Sequence, residues 1–316
     1  MSSGLRVVLI GRVTLTCDGE QLSGLTAKPL ELLGYLLLHR DRPHPRDGLA
    51  ELLWPDASPA ASRKYLRQTL WQLQARLAVA LAPGQASLLD LPAGHVRVNP
   101  QASWWCDVDV VEQVHRRSRD VPGGALADAD VTALEQAVAL SGHDLLANWQ
   151  HDWVLRERDR LRVIHLDLLE RLTDHYVARG AVTSGLVHGR RLLLLDPARE
   201  ATHRQLMRLH AAAGDRTAAL RQYHRCVRAL SDEFGVAPSA ATDALYQLIR
   251  GDAGSPAPRP EAPPSVAEQL EALLAAVAEL QSEVRMLVDQ QRAGGLVASP
   301  TALRSCAEAP DEWEAG

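Results

Sequence analysis

Arg63, Lys64 and Arg67, together with Gln68 and Gln72, are the residues whose types and spacing could do chemistry. Guanidinium and ammonium groups neutralise phosphates, a guanidinium forks onto a guanine edge, and a carboxamide pairs with an adenine edge. All five fall between Ala57 and Leu89, a window without a single acidic residue in a chain whose formal net charge is −5. Arg63, Lys64, Arg67 and Arg76 make that window +4. An arginine-rich face alone is ordinary solvated surface. What sets this one apart is the absence of acids over 33 residues and the order of the elements around it.

Those elements can be read outward from the window. Ser58-Pro59 has the form of a helix start, serine as N-cap and proline at the first helical position. Pro83-Gly84 closes the helix. Leu66, Leu70, Leu73 and Leu77 recur at spacings of four, three and four, one apolar stripe at helical period. Lys64, Arg67, Gln68, Trp71, Gln72 and Ala75 fall largely off that stripe. Trp71 reads first as packing at the stripe's edge and second as stacking on a base. Residues Ser87–Leu91 and His95–Val98, joined by Pro92-Ala93-Gly94, read as a hairpin. Its one face carries Val96 and Val98; its other carries His95 and Arg97, placed to lean into a minor groove or onto phosphates.

Upstream, Leu5, Val7, Leu9, Val13 and Leu15 alternate, with turn signals at Gly11 and Asp18-Gly19, and predict a small sheet. Thr26 can cap a helix running to about His39, and residues 45–53 make a short second helix ended by Trp54-Pro55. Strands, three helices and a hairpin are the order of a winged helix-turn-helix, in which the third helix enters the major groove and the second crosses the backbone. His44 and Arg46 at the mouth of the second helix, and Lys28 at the start of the first, are then placed for phosphates, while Trp54 reads as a core plug. Charge agrees with a nucleic-acid partner for the head alone. Residues 1–100 hold 11 Lys+Arg against 8 Asp+Glu, net +3, and the remainder holds 23 against 31, net −8.

From about Trp104 to Gly251 the chain reads as helices alone. Gly180, Thr183 and Leu186 recur 34 residues later as Gly214, Thr217 and Leu220, and Ala178 as Ala212. That is the period of tetratricopeptide-type hairpins, although Ala/Leu-rich helices also align by chance. Five prolines between residues 251 and 265 predict a stiff linker. Leu270, Leu273, Val277, Leu280, Val284 and Leu287 then continue a heptad seam that begins at Val266, as in a parallel homodimer. Leu274 and Val288 widen the seam and leave a higher assembly open, as does an amphipathic helix folded back on the repeats. The expected organisation is therefore mainly α: a winged helix-turn-helix domain with a small β-sheet and wing (1–100), an all-α tetratricopeptide-like domain (101–251), a proline-rich linker (252–264), a coiled-coil helix (265–293) and an acidic tail (294–316).

Cys17, Cys106, Cys226 and Cys306 are scattered and read as reduced thiols of a cytoplasmic protein, not as a metal site or disulfide frame. No apolar run is long enough to span a bilayer. No Gly-x-Ser-x-Gly elbow, metal-ligand spacing or phosphate loop is present, so an enzyme built around Asp107-Val108-Asp109 is disfavoured and no cofactor is expected.

Further along, Trp153-Val154, Glu157-Arg158, Asp196-Pro197-Ala198-Arg199-Glu200, Ala213-Gly214-Asp215-Arg216 and Glu233-Phe234-Gly235-Val236-Ala237-Pro238 resemble the bacterial transcriptional activator domain. Residues 5–98, with Arg63-Lys64-Tyr65-Leu66-Arg67-Gln68 at the recognition-helix position, resemble the OmpR-like winged helix that precedes it in the Streptomyces antibiotic regulatory protein family. The resemblance implies a transcriptional activator that binds double-stranded DNA and helps recruit RNA polymerase. The chain departs from the larger relatives in having no Gly-Lys dipeptide and hence no P-loop. Leu73-Gln74-Ala75-Arg76 stands where relatives often carry more arginine, which places the expected DNA contacts in the first half of the helix. The competing reading is a protein-interaction scaffold whose winged helix does not bind DNA.

Overall fold

Leu5, Val7 and Leu15 are almost completely buried, and their alternation becomes strands β1 (Leu5–Val8) and β2 (Thr14–Cys17), paired antiparallel. Gly11 turns the chain between them at φ +87°, and Asp18 and Gly19, both at positive φ, turn it again into β3 (Glu20–Gln21). The structure is a computed structural model that describes residues 4–80 and 85–251. The expected proline linker, the heptad helix and the acidic tail all lie outside the described residues.

Helix α1 (Ala27–Leu38) starts after Thr26, whose side chain makes no capping hydrogen bond. Leu32, Leu33, Leu36 and Leu37 are each no more than 1% exposed. A helix buried all round is one packed from both sides. On one side lie α2 (Arg46–Leu53) and α3 (Pro59–Ala80), the latter seated by Leu66, Leu70, Leu73 and Leu77, none more than 4% exposed. The stripe read from the sequence is thus the buried one, and Ser58 Oγ accepts from the Ala61 N–H at the helix start. A short strand β4 (His44–Pro45) precedes α2 and pairs with β6 (His95–Val98), which pairs in turn with β5 (Leu89–Asp90). These three strands are the wing. Val96 and Val98 point inward and Arg97 outward, as the alternation requires.

Residues 104–106 are not helical, contrary to the sequence reading. Trp104–Cys106 forms β7, which adds to the edge of the N-terminal sheet in parallel register with β1, giving the order β3-β2-β1-β7. Consecutive aromatic residues favour a strand, and the partner that decides the matter lies about a hundred residues away in sequence.

From β7 the chain passes directly into α4 (Asp107–Ser118). Asp107 is 1% exposed, and its carboxylate accepts from the backbone N–H of Leu9 at 2.9 Å, of Ile10 at 2.8 Å and of Val108 at 2.8 Å. The continuation of β1 is also clasped from the other side: Gly11 N–H donates to Asp144 O, Leu146 N–H to Leu9 O and Ala147 N–H to Gly11 O. That loop, with Leu146 at φ +49°, follows α5 (Asp128–Leu140) and is held by Arg158, whose guanidinium donates to the carbonyls of Leu145, Leu146 and Trp149. Arg158 lies on α6 (Asp152–Ala178), where Trp153 meets Tyr35 of α1 edge-on at 5.4 Å. Around this seam Arg40 pairs with Asp109 and Glu112, Arg160 with Glu112 and Glu157, and His151 with the buried Glu31. Asp107 and Asp109 are therefore structural ties, not a catalytic pair.

Helices α7 (Val182–Leu195), α8 (Glu200–Ala212), α9 (Arg216–Phe234) and α10 (Ala240–Gly251) complete the body. Gly180 and Gly214 stand at φ +67° and +76° in the same motif. Each donates to the carbonyl three residues back, and the next residue donates to the carbonyl five back, Ala181 to Tyr176 and Asp215 to His210. These two left-handed helix caps stand 34 residues apart, at the spacing of the expected repeat.

Replacing Asp107 with Ala leaves the buried N–H groups of Leu9 and Ile10 without acceptors. The expected loss is about 3–5 kcal/mol, since each orphaned group costs about 1–3 kcal/mol. Urea unfolding followed by circular dichroism checks it, with Asp107→Asn expected to fall between the two.

Candidate nucleic-acid interface

Helix α3 buries its leucine stripe and so presents the opposite face to solvent. Arg63, Lys64, Arg67 and Gln68 are all exposed on it, and Gln72 is half-buried at its edge. No acid lies in the first turn, so the cations add to the positive end of the helix dipole. Past Gln72 the same face turns apolar, with Ala75 and an 83% exposed Val79. Trp71 is 70% exposed, so it does not pack at the stripe's edge. Tyr65, 43% exposed, meets Trp54 at 5.8 Å and joins the surface, a position the sequence did not single out.

The fourth cation of the window behaves differently. Arg76 lies against the backbone before α1, where a methyl group on Gly24 would come within 2.6 Å of its guanidinium. It belongs to the flank of the helix, which leaves Arg63, Lys64 and Arg67 as the cluster.

Of three other positions expected to meet phosphates, His44 and Lys28 are bonded within the protein and Arg46 is half-buried. His44 is 4% exposed, with Nε2 2.8 Å from His39 O. Lys28 donates to Leu53 O at 2.7 Å, closing the C-terminus of α2, and pairs with Glu31 at 2.9 Å. Both were read as surface groups because the sequence does not show which loop end lies beneath another helix. Arg46 is half-buried, its Nε enclosed without a partner and its backbone N–H bonded to Gly94 O in the wing turn. Trp54 is half-buried between Tyr65 and Lys28.

On the wing, His95 Nδ1 lies 3.0 Å from Ala93 O, and Arg97 is held by Asp90 at 2.9 Å across the hairpin. On the helix, Arg63 is 3.5 Å from Asp47 of α2. Exposed pairs of this kind are worth little, so an incoming phosphate can displace the carboxylate in both. Lys64 and Arg67 have no ion pair among the described residues. The surface is thus cationic, solvated and able to meet a polyanion without unfolding anything.

Among the described residues nothing comparable exists for catalysis. Ser141 and His165 meet at 2.7 Å, but the serine donates its proton to Ala137 O, and burial lowers the His165 pKa to about 4. Burial pushes the Cys226 thiol up to about 11 and raises that of Cys106 as well. Among the described residues no group of His, Cys, Asp and Glu could hold a metal ion, and no helix is long and apolar enough to cross a membrane.

Residues 106–250 match the family model of the bacterial transcriptional activator domain. Over these residues the chain resembles regulators of the Streptomyces antibiotic regulatory protein type. It is 26% identical over 243 residues to the transcriptional regulatory protein MoaR1 of Mycobacterium tuberculosis, a match covering 76% of this chain and 78% of that protein. It is 27% identical over 249 residues to the regulatory protein AfsR of Streptomyces coelicolor, covering 78% of this chain and 24% of that one. Among solved structures, Mycobacterium tuberculosis EmbR in complex with a low affinity phosphopeptide superposes with a TM-score of 0.66 at 21% identity, over 79% of this chain and 66% of that one. At that identity the likeness is one of fold, a winged helix followed by helical repeats.

Releasing Arg97 from Asp90 should strengthen contact with DNA. Asp90→Asn is expected to raise affinity for a double-stranded probe about two- to five-fold, the scale of an exposed ion pair. The gain should vanish in an Arg97→Ala background, as fluorescence anisotropy would show.

Proposed function

We propose that this regulator binds double-stranded DNA through α3 and the wing and activates transcription by contact with RNA polymerase. The observation that carries the reading is the unpaired, exposed cluster Lys64 and Arg67 with Arg63 beside it on the N-terminal half of α3. In this proposal α3 enters the major groove, where Arg67 and Gln68 face base edges and Arg63 and Lys64 face phosphates. Gln72 and the exposed Trp71 continue that surface. Arg97 and His95 of the wing, with Arg46 at the wing turn, lie along the backbone or the adjacent minor groove. Relatives named as transcriptional regulators support the DNA assignment, and the activator-domain match supports the polymerase contact. The organisation proposed is the one expected from the sequence, with DNA recognition in residues 1–100 and the activating body in 101–251. A protein of this kind works in the cytoplasm.

The homodimer through residues 265–293 is part of the same proposal. It rests on the sequence pattern of Leu270, Leu273, Val277, Leu280, Val284 and Leu287, which lie outside the described residues.

Affinity for a promoter fragment should fall steeply with salt, because each neutralised phosphate releases counterions. Arg67→Ala should cost about 1–3 kcal/mol on the cognate site and much less on random DNA. Lys64→Ala should weaken both alike and reduce the salt slope by about 1. Promoter binding that survives an Arg63, Lys64 and Arg67 triple alanine variant would sink this mapping. Absence of salt-sensitive binding to any genomic fragment would favour a scaffold instead.

For the dimer, sedimentation of the full chain and of a chain lacking residues 265–293 should give a dimer and a monomer. A monomer in both cases would end that part.

A further inference from the structure

The repeats carry a groove of about 390 Å³ between α7, α8 and α9 that DNA binding does not use. That volume is in the range of small-ligand sites. Its floor is apolar, formed by the fully buried Leu206 with Ala229, and its lip is Leu194, a leucine 82% exposed to water. Two arginines line the same groove, Arg190 from α7 and Arg225 from α9. No carboxylate lines the groove.

The charges are not accidental surface arginines balanced by neighbours. Elsewhere on the same repeats Arg199 is paired with Glu170 and Asp196, and Arg204 with Glu200. Among the described residues Arg190 and Arg225 have no acidic partner. Burial lowers the pKa of His210, and Arg190 and Arg225 both lower it further, with Asp215 acting in the opposite direction.

One of them is also positioned from below. His203 and Gln222 are each 3% exposed. His203 Nε2 lies 2.8 Å from Pro197 O and donates to it, which leaves Nδ1 to accept from Gln222 Nε2 at 2.8 Å. Gln222 Oε1 is thereby turned toward Arg225, 3.4 Å away. Burial lowers the His203 pKa and keeps the imidazole in this neutral form. A chain of buried polar groups that ends on an unpaired guanidinium at the mouth of an apolar groove is a pre-organised anion site.

We propose that this groove binds a small anionic amphipath, its carboxylate on Arg190 and Arg225 and its hydrocarbon across Leu194 and Leu206. The site spans both helical hairpins, so an occupant would tie one repeat to the next and couple its own concentration to the conformation of the activating body.

Isothermal titration of the full chain with octanoate tests this without DNA, so its failure leaves the DNA-binding reading untouched. Saturable binding is expected, and octyl glucoside, which has the same hydrocarbon and no charge, should bind at least ten-fold more weakly. The double variant Arg190→Gln, Arg225→Gln should weaken octanoate roughly ten-fold or more, the scale of losing charge-assisted hydrogen bonds. Leu194→Glu should do likewise through like charge at the lip. All three side chains altered are exposed, and unchanged melting temperatures will show that the fold is kept. Absence of saturable octanoate binding, equal binding of octyl glucoside, or full binding by the double variant would each overturn the proposal. So would an acidic, leucine-containing peptide that binds the groove where octanoate does not, which would make the site a protein-docking surface.

Discussion

The buried carboxylate of Asp107 is the constraint on which the arrangement of this protein depends. It is the first residue of the first body helix, and it accepts the backbone N–H groups of Leu9 and Ile10 at the end of the first strand of the head. A charge so far from water is tolerable only when its lone pairs are filled. Here the bonding partners are also the groups that would otherwise be left as an open strand end. The opposite side of the same strand end is bonded to residues 144–147, which Arg158 holds by three carbonyls. The N-terminal head is therefore hydrogen-bonded into the body, with α1 wedged between the two. A head fused in this way has a fixed orientation, so what the body meets bears on where α3 can reach.

Cations are divided by the same logic. Along the head–body seam, Arg40 and Arg160 are spent on Asp109, Glu112 and Glu157. Among the described residues the exposed cations of α3 have only the loose contact of Arg63 to Asp47, and Arg97 of the wing has only Asp90. Paired charges in partly buried positions fix geometry, and unpaired charges in water cost little and remain available. The groove of the repeats follows the rule in a third setting, where Arg190 and Arg225 are left unpaired beside an apolar floor.

Much of the head was legible in the sequence because its signals are local. The stripe Leu66, Leu70, Leu73, Leu77 assigns α3 and tells which face is turned to water, since helical period is a property of neighbours. The same holds for the alternation of Val96 and Val98 in the wing and for Gly180 and Gly214, whose side-chain-free positions mark two helix ends. The site was legible to the extent that it is the complement of a stripe: Arg63, Lys64, Arg67 and Gln68 are exposed because the leucines are not. His44 and Lys28 were misplaced for the opposite reason. Each is polar and near a helix end, yet each is claimed by a backbone carbonyl of another turn or helix, His39 O for His44 and Leu53 O for Lys28.

By itself, then, the sequence determined most of the elements, the charge of the head and the face of α3 that meets solvent, all of which follow from residue types and spacing within a few turns of chain. Only the tertiary structure decided that Trp104–Cys106 is a strand of the N-terminal sheet, that Asp107 is a tie and not a reactive acid, and that Trp71 stands free. Those outcomes depend on which backbone groups need partners once the chain has closed on itself. A buried N–H finds its acceptor across about a hundred residues as readily as across four, and no periodicity records that choice.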